Sequence, residues 1–357
     1  MAKRTLIFLA VSVFFVSLSD AADKVRIRQG APVSGTVTQM SPDEVEIEQG
    51  PIKKKIPVNE ILSVEYDEEP AELSTLVRSA YEDGRYAEAL SAVKKIDAKE
   101  IERSEILQDL AFYRAACSVR MALSGNLPPA IARDPAKVSA ARAEAGRLLM
   151  EFESKQSGSY HYLETCQLLG DLLVSMNKLE SATKYYDKLA NSSFPEYKLK
   201  AGVLVGRALE SLKQYDKAIA KYEDVISGEG TSKEAIGQKL TATCGKATSL
   251  AATGKADEAI KIVEEVIAKA DPGDVELHAR AYNSLGSCYR SAGKKKEALI
   301  AYLHTDLLFG SFPEQHAEAL AALATLWTEA EDKPDRAEKA KELLKTRYPG
   351  SRWAQGK

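Results

Sequence analysis

The residues of this chain whose types invite chemistry are four histidines, four cysteines and one acidic–histidine alternation, and their spacing decides against most of it. His161 (in SYHYLE) and His278 (in ELHARAY) each open a helical pattern, His304 falls late in another, and His316 begins the next. No two stand at the i, i+4 spacing of a zinc-binding helix, and no Glu completes such a motif. Glu314, His316 and Glu318 alternate, which on a helix points successive members different ways and separates them as ligands. Gly228-Glu229-Gly230 lacks the Lys-Ser or Lys-Thr that a phosphate-binding loop requires. Cys117, Cys166, Cys244 and Cys288 fall in different helical units among apolar positions, and the closest two are 44 residues apart. They read as small buried hydrophobes, with Cys117–Cys166 the pairing to test first in an oxidising compartment. The sequence therefore predicts no catalytic residue, no metal and no cofactor, and leaves only the insertion Ser124 to Asp134 as room for an enzyme site.

The elements that would position any site begin after residue 21. Lys3 and Arg4 precede an apolar run from Leu6 to Leu18, and Ser19-Asp20-Ala21 supplies small residues at −3 and −1. Residues 1–21 thus read as a Sec-type signal peptide, too short for a comfortable membrane span. The expected location is exported, periplasmic or in the cell envelope. No Cys follows the apolar run, which argues against a lipid anchor but allows peripheral association with the envelope. The full chain is 45% hydrophobic and 28% charged, with a formal net charge of −3, the composition of a globular protein with ample core. So weak an acidic balance, without a basic stripe, argues against a nucleic-acid partner.

Residues 24–68 carry β grammar. KVRI, VSGTVTQM, EVEIEQ, IKKKIPV and LSVEY alternate apolar with polar residues or are rich in β-branched ones, and Gly-Pro-Asp-Ser clusters separate them. Five short strands in about 45 residues predict a small closed barrel of the SH3-like or Sm-like kind, since closure removes exposed edges. A curled open sheet has the same pattern. Aromatics for base stacking are nearly absent, which excludes the RNA-binding use of such a barrel. Lys53-Lys54-Lys55 reads as the charged guard of an edge strand, and Asp67-Glu68-Glu69-Pro70 as the start of a linker.

From residue 72 onward the period changes to that of helices. Ala279 to Pro313 holds Leu285-Gly286, Tyr289, a turn at Gly293, then Ala298 and Tyr302. Small residues sit where two antiparallel helices cross, and large ones fill the space beside them. The small residue of each second helix recurs at Ala89, Ala182, Ala218, Ala259, Ala298 and Ala337, with steps of 36, 41, 39 and 39 from Ala182 onward. Around Ala182 the crossing is opened by Leu169-Gly170 and filled by Tyr186, and around Ala218 by Val205-Gly206 and Tyr222. Pro195, Pro272, Pro313 and Pro349 follow second helices, where a Pro stops the helix. Pro135 after Asp134 reads as the first residue of a helix.

This spacing resembles the tetratricopeptide (TPR) repeat. The resemblance implies a mostly α protein: a solenoid of about seven antiparallel helix pairs over residues 72–353, preceded by the small all-β barrel. It implies a non-enzymatic scaffold for protein or peptide partners, with the first helices lining a concave groove. Carrying over the groove positions names Lys200, Val203 and Arg207 from one unit, and Thr241, Cys244 and Thr248 from the next. The third contributes Arg280, Asn283, Ser287 and Arg290. Lys200, Arg207, Arg280, Asn283 and Arg290 are the expected partner-binding residues, because a planar guanidinium pairs bidentately with carboxylates. The chaperone-binding TPR clamp is not reproduced, since its Lys and Asn positions fall on Gln167 and Asp171, or on Val203 and Arg207. The rival reading is an envelope assembly protein that docks through the β module. Neither reading fixes an oligomeric state.

Overall fold

The structure, a computed structural model, describes residues 22–125, 127–349 and 351–354. The expected signal peptide lies outside them. Five strands, β1 (Asp23–Ile27), β2 (Val33–Met40), β3 (Glu44–Gln49), β4 (Ile52–Pro57) and β5 (Ile61–Glu65), pair antiparallel in the order β4-β3-β2-β1-β5. A single 3-10 turn, Val58–Glu60, links β4 to β5. The two end strands do not pair with each other, so the closed barrel expected from the sequence is an open sheet. The physical reason is the helical region, which covers the apolar face that closure would otherwise hide. Val25, Val45, Ile47, Val64 and Tyr66 share one continuous core with Leu73, Val77, Ile106, Leu110 and Phe112. Edge strand β4 keeps Lys53, Lys54 and Lys55 exposed. Lys53 pairs with Glu46 and Glu48, and Lys55 with Glu44, so these two lysines are neutralised by the neighbouring strand.

Two buried charge clusters fasten the sheet to the helices. Asp23 accepts the backbone N–H groups of Val37 (2.7 Å) and Asp67 (2.9 Å) and both terminal nitrogens of Arg103 (2.6 and 2.7 Å). Burial pushes its carboxyl up, but the Arg103 hydrogen bonds and the two backbone donors outweigh burial and hold it below the usual carboxylate value. Arg78, with no exposed surface, donates to both oxygens of Glu69 and to Asp109 at 2.9 Å. Asp109 also faces His161 Nε2 at 3.2 Å and the Tyr160 hydroxyl at 3.4 Å. The ring of His161 stacks on Phe112 with centroids 3.6 Å apart.

The helices run in pairs. A π-type turn, Leu73–Arg78, leads into α1 (Ser79–Glu82), which pairs with α2 (Tyr86–Val93). Next, α3 (Ser104–Ser124) pairs with α5 (Pro135–Lys155), and the short α4 (Pro129–Ala132) occupies the insertion between them. Then follow α6 (Tyr162–Ser175) with α7 (Leu179–Ala190), α8 (Pro195–Ser211) with α9 (Tyr215–Ser227), and α10 (Lys233–Ala252) with α11 (Ala256–Lys269). The last pairs are α12 (Val275–Ser291) with α13 (Lys295–Leu308) and α14 (Pro313–Glu331) with α15 (Pro334–Arg347). Asp134 caps α5 through the N–H groups of Ala136 and Lys137, with Pro135 as the first helical residue. Pro195 and Pro313 likewise open α8 and α14, so they start the next unit as much as they stop the last. The tight turn inside the α12–α13 pair depends on Gly293, whose φ of 73° lies in the left-handed region.

The crossings explain the repeated Gly and Tyr. A Cβ on Gly170, Gly206 or Gly286 would come within 2.1, 2.5 or 2.6 Å of the ring of Tyr186, Tyr222 or Tyr302. Each tyrosine of a second helix therefore lies directly on a glycine of the first. Tyr222 also reaches Gly245 of the following unit, where a Cβ would stand 2.3 Å from it. One ring thus packs two units together, which is how each repeat buries its face only against its neighbours.

Candidate functional site

First helices α8, α10, α12 and α14 lie side by side in that order. Yet Arg207 near the end of α8 donates Nη2 to Glu314 Oε1 at the start of α14, at 2.5 Å across 107 residues. A row of four helices whose first and last members meet through side chains is strongly curved, with those side chains on its inner surface. That surface is the candidate site.

Of the residues expected there, the structure brings Lys200, Arg207 and Arg280 into one charged lining. Lys200 is half-buried and makes no hydrogen bond or ion pair among the described residues. Burial pushes its amine below the usual lysine value, with Asp171, Arg120, Glu164 and Glu276 as its charged surroundings. Arg280 pairs with Glu276 one turn back at 3.1 Å. Asn283 does not line the groove. It is 2% exposed and donates to the backbone oxygen of Gln315 (2.9 Å) and to Glu318 (3.2 Å), stapling α12 to α14. Val203 and Cys244 are likewise buried in the core, because the helices pack more closely than groove positions carried over by number allow. Arg290 is exposed at the end of α12, with its guanidinium against the Tyr302 hydroxyl. Thr248 turns to Glu210 at 2.5 Å.

The lining also holds acids that the groove positions carried over from the sequence do not include. Glu210 accepts from Thr248, Ser249 and the Tyr222 hydroxyl, and Asp171 accepts from the Tyr186 hydroxyl at 2.9 Å. Burial raises the carboxyls of Asp171, Glu210 and Glu318 above their usual values. Glu314 goes the other way: the Arg207 charge, with lesser help from Arg280 and Arg352, brings it down to about 2. The available signal was positional, since an acid one residue after Gly170 or four after Gly206 sits where the tyrosine hydroxyl emerges. Glu314 and Glu318, four residues apart, do share a face, while His316 turns away to bond Tyr348 (2.7 Å) and Asp306 (2.8 Å).

The remaining candidates are structural. All four cysteines are free and buried, so the Cys117–Cys166 bridge is absent; each thiol fills a core position instead. No group of three or more His, Cys, Asp and Glu that would hold a metal occurs among the described residues. Lys294, Lys295 and Lys296 pair with Asp257, Glu329 and Glu331, linking three successive units instead of standing free in the loop.

Two tetratricopeptide-repeat family models match the chain, one over residues 163–193 and another over 244–304. These segments cover α6–α7 and the region from α10 into α13. No curated protein matches the sequence. Among solved structures, a Rap protein complexed with competence and sporulation factor is similar over 80% of this chain and 78% of its own, at 16% identity and a TM-score of 0.50. The apo form of RapI aligns over 79% of this chain and 76% of its own, at 13% identity and TM-score 0.44. PilF of Pseudomonas aeruginosa aligns over 70% and 97%, at 16% identity and TM-score 0.36. The fold is thus a TPR-like α-solenoid carrying an N-terminal antiparallel sheet, with tetratricopeptide repeats matched over residues 163–193 and 244–304.

Proposed function

We propose that this protein is an exported, non-catalytic scaffold that takes an extended or helical segment of a protein partner into the groove formed by α8, α10, α12 and α14. The observation that carries this reading is the inner lining itself. It holds partly buried charged side chains, among them Lys200 with no bonded partner among the described residues, and a ligand would supply further contacts. A preformed solenoid wall lowers the ordering cost of binding, and the paired acids and bases give register. The Rap protein in the similar complex holds a bound factor, which fits the same use of the fold. The β unit belongs with the SH3-like kind, on its strand order and the 3-10 turn before β5. Lys53 and Lys55 are already paired on β3, which disfavours docking through that edge. Export rests on the basic, apolar and small-residue pattern of residues 1–21.

The test is site-specific photo-crosslinking in the native cell. A photoreactive residue at Thr241 or Ser287, on the inner row, should capture a partner that the same residue at Leu307, 74% exposed on a second helix, does not. Capture at Leu307 or at Ile52 of the sheet edge, with none from the inner row, would overturn the groove reading. N-terminal sequencing of the protein from cell fractions tests export; a chain beginning at Met1 in the cytosol would refute it.

A further inference from the structure

One carboxylate of the groove gathers cations from three other elements. Glu314 stands at the start of α14, bonded by Arg207 of α8. Arg352, in the turn after α15, approaches the same oxygen at 3.7 Å and reaches Ser211 Oγ, the last residue of α8, at 3.5 Å. Arg280 of α12 adds its charge from further off. The turn that carries Arg352 is itself seated: Trp353 packs on the core of the last unit, and the Arg352 guanidinium lies 4.5 Å from its ring centroid. These contacts join the first and last helices of the curved row, so they close the groove at its mouth. They are not locked in by packing, because the Glu314 side chain is 49% exposed and the two guanidiniums 29% and 38%.

The chemistry of this junction defines what could open it. Arg207 and Arg352 bring ten N–H donors to a single carboxylate with roughly four acceptor sites. A second carboxylate, from an acidic side chain or a chain terminus, would take up the spare donors, to which a guanidinium can offer two parallel N–H bonds. It would also exchange for Glu314 with no change in the kind of bond made. We propose that Glu314 is a built-in competitor that holds the groove shut until an acidic peptide displaces it from Arg207 and Arg352. This rests on the groove reading above and adds the class of ligand and the step that admits it. Glu318, one turn along, is held by Asn283 and leaves the exchange to Glu314.

The probe is fluorescein-labelled hexaglutamate, with hexalysine as the charge control, titrated into the full chain by fluorescence anisotropy. Glu314→Gln should bind hexaglutamate on the order of tenfold more tightly than the unaltered protein, an equilibrium change of about 1.4 kcal/mol. Adding Arg207→Gln should abolish the gain, and Glu314→Asp should keep the unaltered affinity within about threefold. Spin labels on cysteines placed at Leu212 and Ser311 should move apart in Glu314→Gln, and in the unaltered protein when hexaglutamate is added. Circular dichroism checks that each variant is folded. Glu314→Gln that binds hexaglutamate no more tightly, or gains equally for hexalysine, overturns the inference. Neither readout uses the cellular partner, so failure here leaves the crosslinking result standing, and failure of the crosslinking leaves this one standing.

Discussion

Replacing Arg78 by Met should be the most damaging single change in the N-terminal half. The guanidinium has no exposed surface and holds Glu69, 6% exposed, and Asp109, fully buried. Removing one partner of a buried ion pair costs about 3–5 kcal/mol, because the opposite charge stays behind uncompensated. Here two carboxylates are left, but each keeps other donors. Glu69 still accepts the N–H of Tyr66 at 3.0 Å, and Asp109 still faces His161 and Tyr160. That places the loss near the lower end, about 3 kcal/mol. Arg78→Met/Asp109→Asn should recover part of it, since one orphaned charge is gone. Urea unfolding followed by circular dichroism gives the magnitude, and hydrogen exchange gives the location. Protection should fall in β1, β5 and α3, which share the core around Arg78, and hold in α14 and α15, which belong to a separate cluster. A loss below about 0.5 kcal/mol, within the range of a neutral surface change, would refute the reasoning.

Three further outcomes follow from the same contacts. Gly286→Ala should lower the melting temperature, because overpacking against Tyr302 costs about 1–3 kcal/mol and helix propensity returns only about 1; Tyr302→Leu in that background should restore part of it. Asp23 has a folded-state pKa below its ordinary 3.8, so its contribution to stability is present above pH 4 and lost as pH falls through the depressed value. Asp23→Asn should therefore flatten the acid limb of the stability curve, read by thermal melts between pH 2 and pH 6 (about four units bracket the transition). Burial pushes Cys117, Cys244 and Cys288 up to about 12 and Cys166 to about 11, so a thiol reagent at pH about 8 should react only after denaturant is added. Rapid labelling of the native chain would contradict their burial.

The sequence alone determined the repeat, because its cause is local and recurs. A ring needs a residue without a Cβ beneath it, so Leu169-Gly170 with Tyr186, and Leu285-Gly286 with Tyr302, stand out at fixed separations. Turn glycines, the Asp134–Pro135 helix start and the period-2 strands are equally local, each acting within a few residues along the chain. What lies between distant segments was not legible. The sheet stays open because Leu73, Val77 and Ile106 cover it, and no strand pattern records what will cover its face. Asn283 matches a groove position by number, yet it is a staple, since the closeness of α12 and α14 depends on how every preceding unit stacks. The meeting of Arg207 with Glu314 is the clearest case. Each crossing adds a small rotation, and only the sum over three successive units decides whether two side chains 107 residues apart arrive within bonding distance.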